Sequence, residues 1–311
     1  MYLFVAKNEC FEYVQPIAQD MRIHTDCVPC LMKRILFQSR LSEGMDEKAS
    51  VEAGLKAFAE GFDYSRKSVD IASEVHRASY AVLGDDPYHE LKVRADEVAE
   101  RYMDLAQSYV DSSDDKLRAC LMVSVIGNIM DFGSTGGIDK PELFEQMFDD
   151  LIDQGLGLDD SDKIEVILDR PGTIVYMFDN CGETQLDKIL IRYLRSRGKR
   201  VVGMVRGAPI LNDVTREDAV RSGLDKELDL MLDTGTFYVG IDWSNVPEGL
   251  MKEIEGCDMV IAKGMGNYES LSDESLPVPI AHVLRTKCGP VANSIGVPLD
   301  QNIVYVREAS Q

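Results

Sequence analysis

The chain is poor in basic residues and in histidine. Its 33 lysines and arginines face 54 aspartates and glutamates, for a net charge of −21. Such a surface repels phosphate backbones, so nucleic acid is not expected as a general partner. A phosphorylated small molecule would need a local cationic or metal site to overcome that field. The histidines, His24, His76, His89 and His282, form no H-E-x-x-H pattern and no nucleophile–base pair. His76 and His89 read as ordinary surface residues. Seven cysteines, odd in number and scattered, argue against a secreted disulfide framework. No apolar run reaches the roughly 18 residues of a membrane helix, so no membrane partner is expected. The opening MYLFVAKNEC lacks the basic-then-apolar order of a signal peptide, which makes the cytoplasm the expected location. Neither internal repeats nor low-complexity segments occur.

What is present is an ordinary apolar content of 45% over 311 residues, enough for one large domain or two smaller ones. Residues 1–20 precede any motif, and Met21 opens MRIHTDCVPC; they read as an extension or as a misassigned start. From Asp26 to about Gln154 the apolar spacing is helical. Segments 30–41, 45–62, 66–83, 88–109 and one opening at Asp114 and Asp115 are expected as helices, with Asp46 and Ser65 as N-caps. Residues 21–160 are therefore expected to form a helical domain. After about Lys163 the rhythm changes. Short apolar runs at 173–178, 200–205, 228–232, 258–262, 279–284 and 302–306 alternate with helical patterns at 183–197, 216–222 and 244–254. That alternation predicts an α/β domain over 161–311, a parallel sheet with helices on both faces. Ligand sites in such sheets lie beyond the carboxyl ends of the strands.

Polar clusters follow the strands in that manner. Asp179-Asn180-Cys181-Gly182-Glu183 comes directly after one strand. A carboxylate and a carboxamide there offer two hard oxygen ligands to a divalent cation, or else a turn and a helix cap. Asp213, in PILNDVT after the next strand, would face the same cleft or cap the following helix. Asp179, Asn180 and Asp213 suit Mg²⁺, Mn²⁺ or a related ion better than thiol-ligated zinc. Lys263-Gly264-Met265-Gly266-Asn267-Tyr268-Glu269 pairs a cation with two glycines whose amides can approach an anion; it is not a Walker A loop. Arg285 and Lys287 place further cations at a strand end. Asn128 and Asp131, in GNIMDFG, emerge from an apolar helix end toward the cleft or merely terminate the helix. Cys27 and Cys30 form a lone C-x₂-C, open to a soft metal, a redox pair or a packing role; Cys181 and Cys288 could join them only through the fold.

Taken in order, DCVPC, GNIMDFG, DNCGE, PILNDVT, KGMGNYE and LRTKCG make the chain resemble the DUF89 family, the ARMT1-like damage-control phosphatases. The resemblance runs from Met21 to about Val306, and the C-x₂-C and length are similar to the archaeal-type branch. It implies a three-layer α/β/α sandwich with a mostly parallel sheet, a helical cap and a metal-dependent phosphatase site. By the same resemblance Asp179, Asn180 and Asp213 are the metal ligands, and Lys263 contacts the phosphoryl group. Asn128, Glu183 and Asn267 line the substrate cleft. LRTKCG matches the family's RT-x-K pattern only in part, since Lys287 directly follows Thr286. The implied cofactor is Mn²⁺, Co²⁺, Ni²⁺ or Mg²⁺, and the implied substrate a small phosphorylated metabolite such as a sugar phosphate. On this reading Asp179, Asp213, Lys263 and the amides of Gly264 and Gly266 serve phosphomonoester hydrolysis, with Asp131 or Asp213 assisting proton transfer. Two rivals stand beside it. An aspartyl-phosphate enzyme would need D-x-D, where this chain has Cys181. A non-catalytic metal- or metabolite-binding protein would carry structural zinc at Cys27 and Cys30.

Overall fold

A computed structural model describes residues 21–310 except Glu43, Asp85 and Thr135. The extension expected at residues 1–20, with Cys10, lies outside the described residues.

The N-terminal helices are α1 (Cys27–Ser39), α2 (Glu47–Gly61), α3 (Ser68–Leu83), α4 (His89–Glu100), α5 (Met103–Ser112), α6 (Lys116–Gly127) and α7 (Phe144–Gln154). The alternating part runs β1 (Leu158–Asp159), α8 (Ser161–Leu168), β2 (Gly172–Met177), α9 (Glu183–Ser196), β3 (Lys199–Val205), α10 (Arg216–Ser222) and β4 (Leu230–Asp233). It continues with α11 (Glu248–Gly256), β5 (Met259–Lys263), α12 (Gly264–Leu271), β6 (Ile280–Arg285), α13 (Gly289–Ile295) and β7 (Asn302–Arg307).

The seven strands form one sheet in the order β1-β7-β6-β5-β2-β3-β4. Every neighbouring pair is parallel except β6 with β7. Alternation along β2 divides the core. Ile174 and Tyr176 face the α6 and α9 side, while Val175 and Met177 face Leu250 and Ile254 of α11. Both faces are therefore covered, which is why these strands read as continuous apolar runs.

Helix α6 is buried at every position from Leu117 to Gly127 except Arg118. A helix apolar all round belongs inside a core, and each of its buried Leu, Val and Ile side chains contributes about 1.5–3 kcal/mol. One apolar cluster runs from Tyr80 and Val110 through α6 to Ile174 and Val304, so the core is continuous across residue 160.

Several local expectations are corrected. The helix expected over 88–109 is two helices, broken at Arg101 and Tyr102, where Tyr102 packs on Phe144 and Phe148 at 5.5 and 5.2 Å. Ser65 does not cap α3, because its N–H and hydroxyl both donate to Asp63 Oδ1 at 2.8 Å. Asp46 and Asp115 do cap, accepting from Ala49 N and Arg118 N. The helix read from Ser244 begins at Glu248. His76 is not a surface residue. It is 1% exposed on the inner face of α3, and its Nδ1 lies 2.7 Å from Gln38 Oε1.

Candidate active site

The site is built where β2, β3 and β5 end. After β2 the chain turns through Asp179–Gly182 into α9. Gly182 has φ +82°, and a Cβ there would fall 2.6 Å from Met130 Sδ; only glycine fits this turn. Its N–H donates to Asp96 Oδ1 of α4 at 2.7 Å. The segment after β3 is strapped across the turn. Cys181 N donates to Asn212 O at 2.9 Å, Val214 N donates to Asp179 O at 2.8 Å, and Asn180 and Asp213 form an antiparallel bridge. Leu211, with φ +51°, holds the bend, and its N–H donates to Tyr80 Oη at 2.9 Å. A left-handed bulky residue beside a polar cluster is the kind of strain that collects at functional sites.

This strap brings Asp179, Asn180 and Asp213 together on the floor of a cleft of about 120 Å³. All three are at most 6% exposed. The Asn180 amide nitrogen donates to Asp179 Oδ2 at 2.7 Å and Glu183 Oε2 at 3.0 Å. Arg206, fully buried at the end of β3, donates from Nε to Asp213 Oδ2 at 2.6 Å and from Nη2 to Asp179 Oδ1 at 3.4 Å. Burial, then the neighbouring Asp213 and Glu183, push the Asp179 carboxyl well above its usual range. Burial likewise raises Asp213, although Arg206 opposes the shift. Crowded oxygen donors whose charged forms are disfavoured are what a hard divalent cation relieves. The floor thus fits such an ion, with Asp179, Asp213 and Asn180 to hold it. Among the described residues, no group of three or more His, Cys, Asp or Glu is arranged for a metal; the third donor of this floor is an amide.

The other expected residues divide into those that reach the cleft and those that support its floor. Asp131 reaches it. Burial alone would raise its carboxyl, but Arg34 at 3.0 Å and Lys287 at 2.8 Å pull it down to about 2. Gly266 lines the wall, as do Cys27 and Cys30. Asn128 lies beneath the floor, donating to Asp179 Oδ2 and Glu183 Oε2, both at 3.1 Å. Glu183 is fully buried there as well. Asn267 accepts from Arg206 Nη1 at 2.9 Å and donates to Phe178 O and Lys263 O, so it braces Arg206 rather than lining the cleft.

Lys263 and its glycines differ most from expectation. No phosphate-binding loop follows β5; α12 begins at once. Lys263 closes β5 with its side chain turned into the α6 and α9 layer, fully buried. It ion-pairs with Glu183, and donates to Asp187 Oδ1 at 2.9 Å and Ser124 O at 3.0 Å. Burial would lower its pKa, but Asp187 and Glu183 together raise it. Gly264 serves steric fit instead. A Cβ at 264 would fall 1.8 Å from Asp179 Oδ2, so glycine makes room for the carboxylate. Arg285 also turns away, to Gln154 Oε1 at 2.7 Å and Asn302 Oδ1 at 2.9 Å.

Sequence reasoning missed Arg34, Arg206, His76 and Glu269. Arg206 directly follows a strand, the same signal that marked Asp179. Arg34 lies four and seven residues beyond Cys30 and Cys27, on the same face of α1. Cys288 joins Cys27 and Cys30 in lining the cleft, all three as free thiols. Burial raises Cys27 to about 11 and Cys288 to about 12. Cys181 is buried elsewhere, behind the turn.

A sheet covered on both faces, with an oxygen-rich floor at the carboxyl ends of adjacent strands, defines an α/β protein of the kind that binds its ligand beyond the strand ends. The family is given by similarity: the profile of the damage-control phosphatase ARMT1-like domain matches residues 23–303, and the chain belongs to that family. A damage-control phosphatase of Archaeoglobus fulgidus is 36% identical over 291 residues, 93% of this chain and 100% of that protein. A damage-control phosphatase of Pyrococcus horikoshii is 30% identical over 283 residues, 89% of this chain and 96% of its own. The crystal structure of a DUF89 family protein from Pyrococcus horikoshii superposes with a TM-score of 0.80 at 27% identity, covering 91% of this chain and 98% of that one.

Proposed function

We propose that the protein is a metal-dependent phosphatase that hydrolyses phosphomonoesters of small metabolites. The observation that carries this reading is the strap that bridges Asn180 to Asp213 and sets two further oxygen donors beside Asp179 on the cleft floor. Membership of the family and the names of its relatives support the phosphatase class.

A divalent ion held by Asp179, Asn180 and Asp213 would supply positive charge to the phosphoryl oxygens and a water of lowered pKa. In the reaction the water oxygen bonds to phosphorus and the ester P–O bond breaks. Its electron pair goes to the alcohol oxygen, which gains the proton that the water loses; the products are inorganic phosphate and the alcohol. Arg34 takes the role once expected of Lys263. It lines the cleft, its fork is fixed by Asp131, and its remaining N–H groups can meet phosphoryl oxygens as charge spreads over them. Asp131, held near pH 2 by two cations, stays ionised and is a poor proton acceptor. It orients Arg34 and Lys287 instead. Arg206 holds the two floor carboxylates apart and facing the cleft.

The test is hydrolysis of p-nitrophenyl phosphate after treatment with a chelator, with Mn²⁺, Co²⁺, Ni²⁺ or Mg²⁺ added back. Activity should vanish and return. Full activity in chelator would overturn the metal, and no hydrolysis with any of the four ions would overturn the phosphatase.

A further inference from the structure

The chemistry of the cleft walls narrows the alcohol half of the substrate. Helices α1, α3 and α12 line much of the cleft, and helical spacing orders their side chains into layers. The inner layer is set by Arg34, which reaches Asp131, and by His76, whose Nδ1 lies 2.7 Å from Gln38 Oε1. One turn outward the lining is apolar, with Leu31 of α1, Ala72 of α3 and Met265 of α12. At the outer end Ser68 donates to Glu269. The start of α12 lies against Asp179, so Glu269 stands more than a turn away from the floor. From Arg34 to Cys27 the cleft follows seven residues of α1, about 10 Å.

Glu269 is the unusual member. It lines the cleft, its carboxylate accepts from the Ser68 hydroxyl, and among the described residues no Lys, Arg or His stands within ion-pairing distance. A carboxylate in such a place needs an incoming donor to complete its hydrogen bonding.

Resting on the phosphatase reading, we infer that the preferred substrate is a phosphomonoester whose alcohol is a short, largely apolar chain ending in a hydrogen-bond donor, best a primary ammonium group, that meets Glu269. A hexose phosphate fits the same cleft poorly. Its ring hydroxyls would lie against Leu31, Ala72 and Met265, and each hydroxyl left without a partner costs about tenfold in affinity. Methylene groups there exchange water for apolar contact instead. The products of the same hydrolysis are inorganic phosphate and the amino alcohol.

The experiment compares kcat/KM in Mn²⁺ for ω-aminoalkyl phosphates of increasing length, the matching n-alkyl phosphates, and glucose 6-phosphate. The expected ranking is aminoalkyl above alkyl above hexose, by about tenfold at each step, with an optimum at one chain length. Glu269→Gln should bring the aminoalkyl-to-alkyl ratio down toward one. A hexose phosphate matching or exceeding the alkyl series overturns the inference while leaving the phosphatase standing. So does an aminoalkyl-to-alkyl ratio that is one in the wild type or unchanged in Glu269→Gln; the wild-type ranking needs no variant to fold. If none of the three classes is hydrolysed with any divalent ion, the phosphatase reading itself falls and takes the inference with it.

Discussion

The floor and the walls of the cleft are made differently. The floor consists of residues in the segments that follow β2 and β3, tied to one another by short backbone and side-chain bonds: Asp179, Asn180, Arg206 and Asp213. The walls come from α1, α3 and α12, where single polar residues such as Arg34, His76 and Glu269 stand among Leu31, Ala72 and Met265. A floor of this kind fixes charge and geometry, which the chemistry needs. A wall of this kind sets what fits, and it can vary without disturbing the floor. Changes to the floor should therefore act on rate and metal affinity, and changes to the wall on the choice of substrate.

The largest effect should come from the floor. Asp179→Ala and Asp213→Ala should each lower kcat by at least about 100-fold, since the loss of an outer-sphere partner already costs 10- to 100-fold. Metal affinity measured by calorimetry should fall with it. In chelator, Asp179→Asn should melt no lower than wild type, because burial and its neighbours already disfavour the charged form. Either alanine variant turning over near the wild-type rate would remove that residue from the ligand set.

Lys263 sharpens the contrast, because it belongs to neither floor nor wall. Lys263→Ala leaves Glu183 and Asp187 buried without their cation, a change that costs about 3–5 kcal/mol and lowers the melting temperature by roughly 10 °C. A variant of wild-type stability whose kcat alone fell would return Lys263 to the phosphoryl group. Arg34→Ala should behave in the opposite way. Its kcat should fall by about 10²–10³-fold with little change in melting temperature, because Asp131 keeps Lys287. Arg34→Lys should recover only part, since a point charge does not replace a fixed fork. A kcat within threefold of wild type would exclude Arg34 from the reaction.

The same contrast decides what could be read in the sequence. Strands β2, β3, β5, β6 and β7 fall within a residue or so of the apolar runs, because both faces are buried and the runs are unbroken. Asp179, Asn180 and Asp213 were legible because polar residues after such runs have few other places to be. Lys263 carries the same signal, yet its side chain turns to Glu183 and Asp187. The pattern tells that a residue ends a strand, and which face it takes depends on the helices packed there. The two-residue strand β1 and helices α7, α8, α12 and α13 are short or begin without a cap signal. Arg34, His76 and Glu269 were hidden by helical spacing, which does not say which of several charged residues will face a distant helix.

The smallest effect concerns two buried histidines, one on the wall and one on the sheet. His76 touches Gln38. His282 on β6 stands between Tyr268 at 5.0 Å and Tyr305 at 6.0 Å, and neither of its ring nitrogens has a hydrogen-bond partner among the described residues. Burial depresses both to about 3, helped by Arg34 at His76 and by Arg307 at His282. In the unfolded chain each titrates near 6.5. Between those values the unfolded state binds the proton and the folded state does not, so stability falls as pH drops from about 6.5 toward 3. The slope is about 1.4 kcal/mol per pH unit for each histidine. Above about pH 7 this contribution is flat. Carboxylates titrate in the same acid range, so the informative quantity is the difference between wild type and His282→Phe. Urea midpoints measured from pH 7 to pH 5 should diverge as pH falls, with the variant the more stable. At pH 7 the variant should already be ahead by about 1 kcal/mol or more, because it no longer buries two polar atoms without partners. An offset independent of pH would mean that His282 takes up its proton as readily in the fold as in the unfolded chain, and would overturn the depressed pKa. The wall residue gives the matching control. His76→Leu should show the same acid-dependent gap, and in addition a changed KM, because His76 lines the cleft and His282 does not.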